Sequence, residues 1–210
     1  MNTQSGRSMV EMLGVLAIVG VLSVGAIAGY GKAMMKYRLN RYTEAVNILI
    51  NNGVQIKDTL TYPKGTTYYN LLFKQLNLLP DGITYVSEGR LQDSWFKNRI
   101  HIYNSNGKDG SFGGIRFDFQ PSKDGSEVCR SAVYAAKENS ANLWVVETYK
   151  YLNDDTFTAH GWINGDKYCT KGAKCLKNLK LSDINGMCND CNEKACALFV
   201  LWQTSPNTLQ

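Results

Sequence analysis

Residues 12–30 carry no charge and are almost wholly apolar, and a carboxylate, Glu11, stands immediately before them. At 1.5 Å of rise per residue, a helix over this run is roughly 28 Å long, close to the hydrocarbon thickness of a bilayer. Three readings fit such a segment: a removable secretory signal, a plain membrane anchor, and a membrane helix that also assembles. Ala26-Ile27-Ala28 matches the small-residue cleavage pattern of a signal. Residues 1–6 hold no basic side chain, however, and the apolar run is longer than a usual signal core. A plain anchor explains the length and leaves Glu11 without a purpose. A carboxylate within membrane reach costs up to about 3 kcal/mol at the helix centre and less near an end, so its presence points to function.

Beyond the apolar run, Met35, Leu39, Tyr42, Val46, Leu49, Gly53 and Ile56 recur at steps of four and three. They form one apolar stripe on a helix whose other faces carry Lys36, Asn40, Arg41, Thr43, Asn47 and Asn51. One long helix is therefore expected to run through the apolar segment and on to about residue 57. After a turn at Tyr62-Pro63-Lys64-Gly65, residues 66–80 read as a short helix stopped by Leu79-Pro80. Strands are expected at 83–86, 99–104, 114–120, 143–152, 156–163 and 197–203, and a helix at 126–139. Ser105-Asn106-Gly107 opens a loop, and Asn153-Asp154-Asp155 is a hairpin turn. The fold class expected is α+β: a long N-terminal helix, half membrane segment and half amphipathic, packed on an antiparallel sheet head with disulfides.

The bases (23 Lys and Arg against 18 Asp and Glu) are scattered and do not interleave with aromatic residues, so nucleic acid is not indicated. No phosphate loop, dinucleotide fingerprint, HExxH or Gly-x-Ser-x-Gly is present, and His101 and His160 have no nucleophile at a readable spacing. The expectation is a protein that is not an enzyme and needs no cofactor. Asp183 and Asp190 are candidate calcium ligands without a calcium-loop motif around them. Six cysteines, Cys129, Cys169, Cys175, Cys188, Cys191 and Cys196, all follow the apolar run. An even number downstream of a membrane or export signal favours disulfides in an oxidising compartment. The spacing Cys188-x2-Cys191-x4-Cys196 also suits zinc, with Cys169 or Cys175 as a fourth ligand. No paired CxxC pattern exists, so disulfides are expected and a metal site is not. Lys32, Lys36, Arg38 and Arg41 follow the apolar helix and by themselves would place the C-terminal part in the cytoplasm; the cysteines favour export.

Gly6 followed by Arg7-Ser8-Met9-Val10-Glu11 resembles the cleavage and methylation motif of type IV prepilins. The order of elements in the head is similar to the type IVb branch, whereas the short leader is more typical of type IVa. The resemblance implies a leader of residues 1–6 cut between Gly6 and Arg7 by a prepilin peptidase, and N-methylation of Arg7. It implies a helix over 7–57 with its membrane segment at about 12–30, and a head over 58–210. Glu11, fifth in the mature chain, would set assembly register by pairing with the terminal amine of a neighbouring subunit. The implied role is the structural subunit of a pilus-like filament, held in the bacterial inner membrane before assembly and extracellular afterwards. Its partners would be copies of itself, other pilins, the peptidase, and an inner-membrane platform with its assembly ATPase. Adhesion, motility, conjugation, DNA handling or secretion would be uses set by the head. The resemblance also implies a bridge from Cys129 to a C-terminal cysteine, Cys196 preferred, with the remaining cysteines stapling the stretch between Cys169 and Cys191. The competing reading is a membrane-tethered extracytoplasmic binding protein or enzyme with a cysteine-rich head.

Overall fold

The apolar run and the amphipathic stripe form one uninterrupted helix, α1 (Met9–Ile56), in the computed structural model, which describes residues 9–107, 110–152 and 156–203. The expected turn at Asn153-Asp154-Asp155 lies outside the described residues. Two compact units divide the chain, the first ending at Arg38 and the second beginning at Leu39, so the division falls within the helix. In the first unit, every large apolar side chain from Met9 to Tyr30 is more than half exposed. The hydroxyl of Ser23 donates to the Val19 carbonyl (2.7 Å), so this polar group is satisfied inside its own helix.

In the second unit, the stripe from Leu39 onward is the buried face of α1. Tyr42, Val46, Leu49 and Gly53 are buried as the spacing predicts, joined by Ala45 and Ile50. Gly53 is dictated by contact: a Cβ there would lie 2.6 Å from Cη2 of the fully buried Trp202. Tyr42 meets Trp95 and Phe96 edge-on, at 6.4 and 5.6 Å between centroids.

Among the described residues, nine strands form one sheet in which every strand pair is antiparallel. They are β1 (Gly65–Tyr68), β2 (Ile83–Ser87), β3 (Arg90–Asp93), β4 (Arg99–Gly107), β5 (Gly110–Phe119), β6 (Val145–Tyr151), β7 (Phe157–Ala159), β8 (Ile163–Asn164) and β9 (Cys196–Gln203). The order is β2-β3-β4-β5-β9-β6-β7, with β1 also on β4 and β8 also on β6. Alternation sorts the residues by face. Ile100, Ile102, Ile115, Phe117, Leu198, Val200 and Trp202 are buried in the core with α1. Their sequence neighbours Arg99, His101, Tyr103, Arg116, Asp118 and Phe199 take the opposite face. Helix α3 (Gly125–Glu138) adds Val128, Cys129, Ala132, Val133 and Ala136 to the core. It is tied to α1 where Asn139 donates to Asn47 Oδ1 (2.5 Å) and Asn47 to Glu138 (3.2 Å).

Several expectations need correction. Thr66-Thr67-Tyr68 is β1 rather than the start of a helix, since β-branched and aromatic residues suit the sheet edge on β4. The helix there, α2 (Asn70–Gln75), stops before Leu79-Pro80, because Asn77 turns left-handed at φ 54°. The stretch 105–107 continues β4 instead of opening a loop. Strand β3 and helix α4 (Leu181–Cys188) went unpredicted. Between β3 and β4, Asp93 organises the turn. Its carboxylate accepts the backbone N–H groups of Trp95 (2.9 Å), Phe96 (2.5 Å) and Asn98 (2.7 Å). Burial raises this carboxyl above its ordinary value, against the pull of those donors.

Candidate functional site

Two regions carry chemistry: the N-terminal half of α1, and the face of the sheet turned away from the core. Gly6 and Arg7, the residues of the expected cleavage and methylation, lie outside the described residues. Glu11 stands exposed in the first turn of α1, where the free N–H groups of a helix end favour a negative charge. The segment that follows it is long and apolar enough to cross a membrane. Its glycines differ from Gly53. At Gly14, Gly20, Gly25, Gly29 and Gly31 an added Cβ would meet nothing within 4 Å beyond the local helix backbone. Among the described residues, no contact calls for them.

All six cysteines are in disulfides, so none is left as a thiolate for zinc. Cys129 pairs with a C-terminal cysteine, but the partner is Cys188 and not the preferred Cys196. Helices α3 and α4 lie against each other with both residues fully buried, whereas Cys196 opens β9 and closes a tight loop to Cys191. Cys169–Cys175 staples the lysine-rich stretch before α4. The candidate calcium ligands serve other purposes: Asp183 accepts the Lys180 N–H (2.8 Å) at the start of α4, and Asp190 meets Lys150 (3.3 Å).

On the outer sheet face, residues of β4, β5, β9 and β6 converge on Asp118. Oδ1 accepts from Arg116 Nε (2.6 Å) and Oδ2 meets His101 Nε2 (2.9 Å). The other ring nitrogen of His101 meets the Gly89 carbonyl. Both imidazole nitrogens thus lie within hydrogen-bond reach of an oxygen. Arg116 also donates to the Tyr151 phenol (3.0 Å) and lies over the Phe199 ring at 5.4 Å. Burial pushes the Asp118 carboxyl upward, but the bond from His101 and the charge of Arg116 outweigh it and leave the carboxyl below its ordinary value.

Aromatic rings extend from this cluster. Phe199 contacts Tyr103 and Tyr149 at 6.4 and 4.9 Å, and Tyr149 contacts Phe157 at 4.9 Å. Burial and the neighbouring Glu147 carboxylate, which accepts from the Tyr149 hydroxyl (2.7 Å), push that phenol up to about 12. Sequence reasoning placed His101 in a strand but missed the cluster. The signal available was the alternation in Arg99-Ile-His-Ile-Tyr103 and Ile115-Arg-Phe-Asp-Phe119, which marks polar outward positions without saying which strands adjoin. The expected antiparallel α+β architecture with a long N-terminal helix and disulfides is present. No family model, curated protein or solved structure matches the chain.

Proposed function

We propose that this chain is the structural subunit of a type IV pilus-like filament, assembled through the apolar half of α1. The observation that carries the reading is the condition of that half. Its large apolar side chains are exposed, its glycines answer to no contact among the described residues, and a single carboxylate stands at its head. In a bundle of such helices the glycines permit close approach. Glu11 would be costly there without a counter-charge, and the amine released by cleavage at Gly6–Arg7 supplies one from a neighbour. Such a pair specifies axial position more than it stabilises. Before assembly the same segment is the membrane anchor, and assembly draws on a platform and ATPase. The work is structural, and the disulfide-stapled unit is what the filament displays.

Glu11→Val tests this directly. The variant is expected to be processed, to fold its disulfide-bonded unit and to be lost from sheared filaments. Gly6→Leu is expected to leave residues 1–6 attached. N-terminal sequencing beginning at a methylated Arg7 supports the reading. A Glu11→Val chain that enters filaments normally overturns the register role, and an intact Met1 on the mature chain favours a membrane-tethered binding protein instead.

A further inference from the structure

Two clefts flank the Arg116–Asp118 pair on the outer sheet face. One, about 460 Å³, runs towards Tyr151 and Lys194; the other, about 390 Å³, is walled by Tyr68, Tyr103 and Phe199. Both are of small-ligand size, roughly 300–1,000 Å³. Arg99 borders both clefts, and Asp118 is its cross-strand partner in the β4–β5 register. The two do not pair, because both Asp118 oxygens are taken by Arg116 and His101. Among the described residues, no ion pair or hydrogen bond engages the Arg99 guanidinium, which is exposed. Two guanidiniums, of Arg99 and Arg116, therefore stand against the Asp118 carboxylate beside the rings, and in the larger cleft Lys194 and Glu193 offset one another.

We infer that this face binds an acidic oligosaccharide, its carboxylate on Arg99 and a sugar ring against the Tyr68–Tyr103–Phe199 wall. A guanidinium fork matches a carboxylate in two parallel hydrogen bonds. The C–H face of a pyranose complements the electron-rich face of an aromatic ring. Phenols and Thr66 in the lining suit hydroxyl groups. Placement of the cations separates this ligand from single-stranded nucleic acid. A polyphosphate chain needs positive groups all along its track. Here the guanidiniums are bunched at one end, and the aromatic row continues past the buried Glu147.

The test is calorimetric titration of the full-length chain in detergent micelles with trigalacturonate, 3′-sialyllactose, lactose and an eight-residue oligothymidylate. It reads the monomer, so it does not depend on whether the chain forms filaments. At least one acidic sugar is expected to bind and lactose to bind much more weakly. Arg99→Gln is expected to weaken binding by about tenfold or more, the loss of a charge-assisted contact. Tyr68→Ala should weaken it too, and Lys171→Gln, an exposed lysine lining neither cleft, should not. Absence of binding by both acidic sugars overturns the inference. So does equal binding by the Arg99→Gln chain, or a preference for oligothymidylate.

Discussion

The three disulfides are expected to contribute unequally, and the inequality follows from where they sit. Cys129–Cys188 joins residues 59 apart, whereas Cys169–Cys175 and Cys191–Cys196 join residues 6 and 5 apart. Restricting a longer loop removes more freedom from the unfolded chain. The chain-entropy relation gives about 4 kcal/mol for the first bridge and about 2 kcal/mol for each short one. Replacing both partners by Ala also removes sulfur from a fully buried contact between α3 and α4 in the first case, a loss of the same sign. With a urea slope of about 2.5 kcal/mol/M, the midpoint should fall by about 1.6 M or more for Cys129→Ala/Cys188→Ala. It should fall by about 0.8 M for Cys169→Ala/Cys175→Ala. The full chain in micelles, followed by tryptophan fluorescence, is suited to the measurement because the ring of Trp202 is buried in the core. Equal losses, or a larger loss from Cys169–Cys175, would refute the assignment of α3–α4 as the joint held by the long bridge.

Other perturbations test other parts of the fold. Gly53→Ala should destabilise the disulfide-bonded unit by up to about 2 kcal/mol net in the same denaturation assay. About 1–3 kcal/mol of crowding against Trp202 works there against about 1 kcal/mol of helix propensity; Gly25→Ala should leave the midpoint unchanged. Asp93→Ala removes the acceptor of three backbone N–H groups, one buried and two part-buried, and should cost about 3 kcal/mol. The Asp118 carboxyl lies below its ordinary value when folded, so its contribution is complete above about pH 4 and fades as pH falls through the folded value. Asp118→Asn should flatten that acid limb of a stability–pH curve and lower stability at neutral pH by about 1–3 kcal/mol.

What could be read in advance divides by the range of the interactions involved. The buried face of α1 follows from its own spacing, because a helix brings i, i+3 and i+4 together without outside help. Strands β4 and β5 show their alternation in the same way, whereas β6 and β9 declare themselves as short runs rich in β-branched, aromatic and other apolar residues. The disulfide pairing is different. Cys196 and Cys188 are both plausible partners for Cys129 by resemblance, and only the docking of α4 on α3 decides between them. The outer-face cluster depends on register to a still greater degree. Arg116 lies opposite His101 on one side and Phe199 on the other, and residues 101 and 199 are brought together only by the sheet order. Strand β1 hid behind the helix that follows it, since Thr66-Thr67-Tyr68 is too short a run to declare itself without its partner β4.

The glycines place the same distinction inside a single helix. At Gly53 the absent side chain is explained by the chain itself, because Trp202 occupies the space. At Gly14, Gly20 and Gly25 nothing among the described residues fills the space, although each glycine costs a helix about 1 kcal/mol relative to alanine. The neighbouring Val15, Leu16, Val21 and Leu22 are exposed as well, and covering such side chains is worth about 1.5–3 kcal/mol each. Lipid alone would reward the apolar residues but has no use for the missing Cβ atoms. Other helices reward both, since close approach needs the glycines and covers the side chains between them. On the proposed filament reading, Glu11 at the start of that surface would decide which of the many apolar registers is adopted. If so, substituting the exposed glycines by leucine should leave membrane insertion intact and spoil assembly alone.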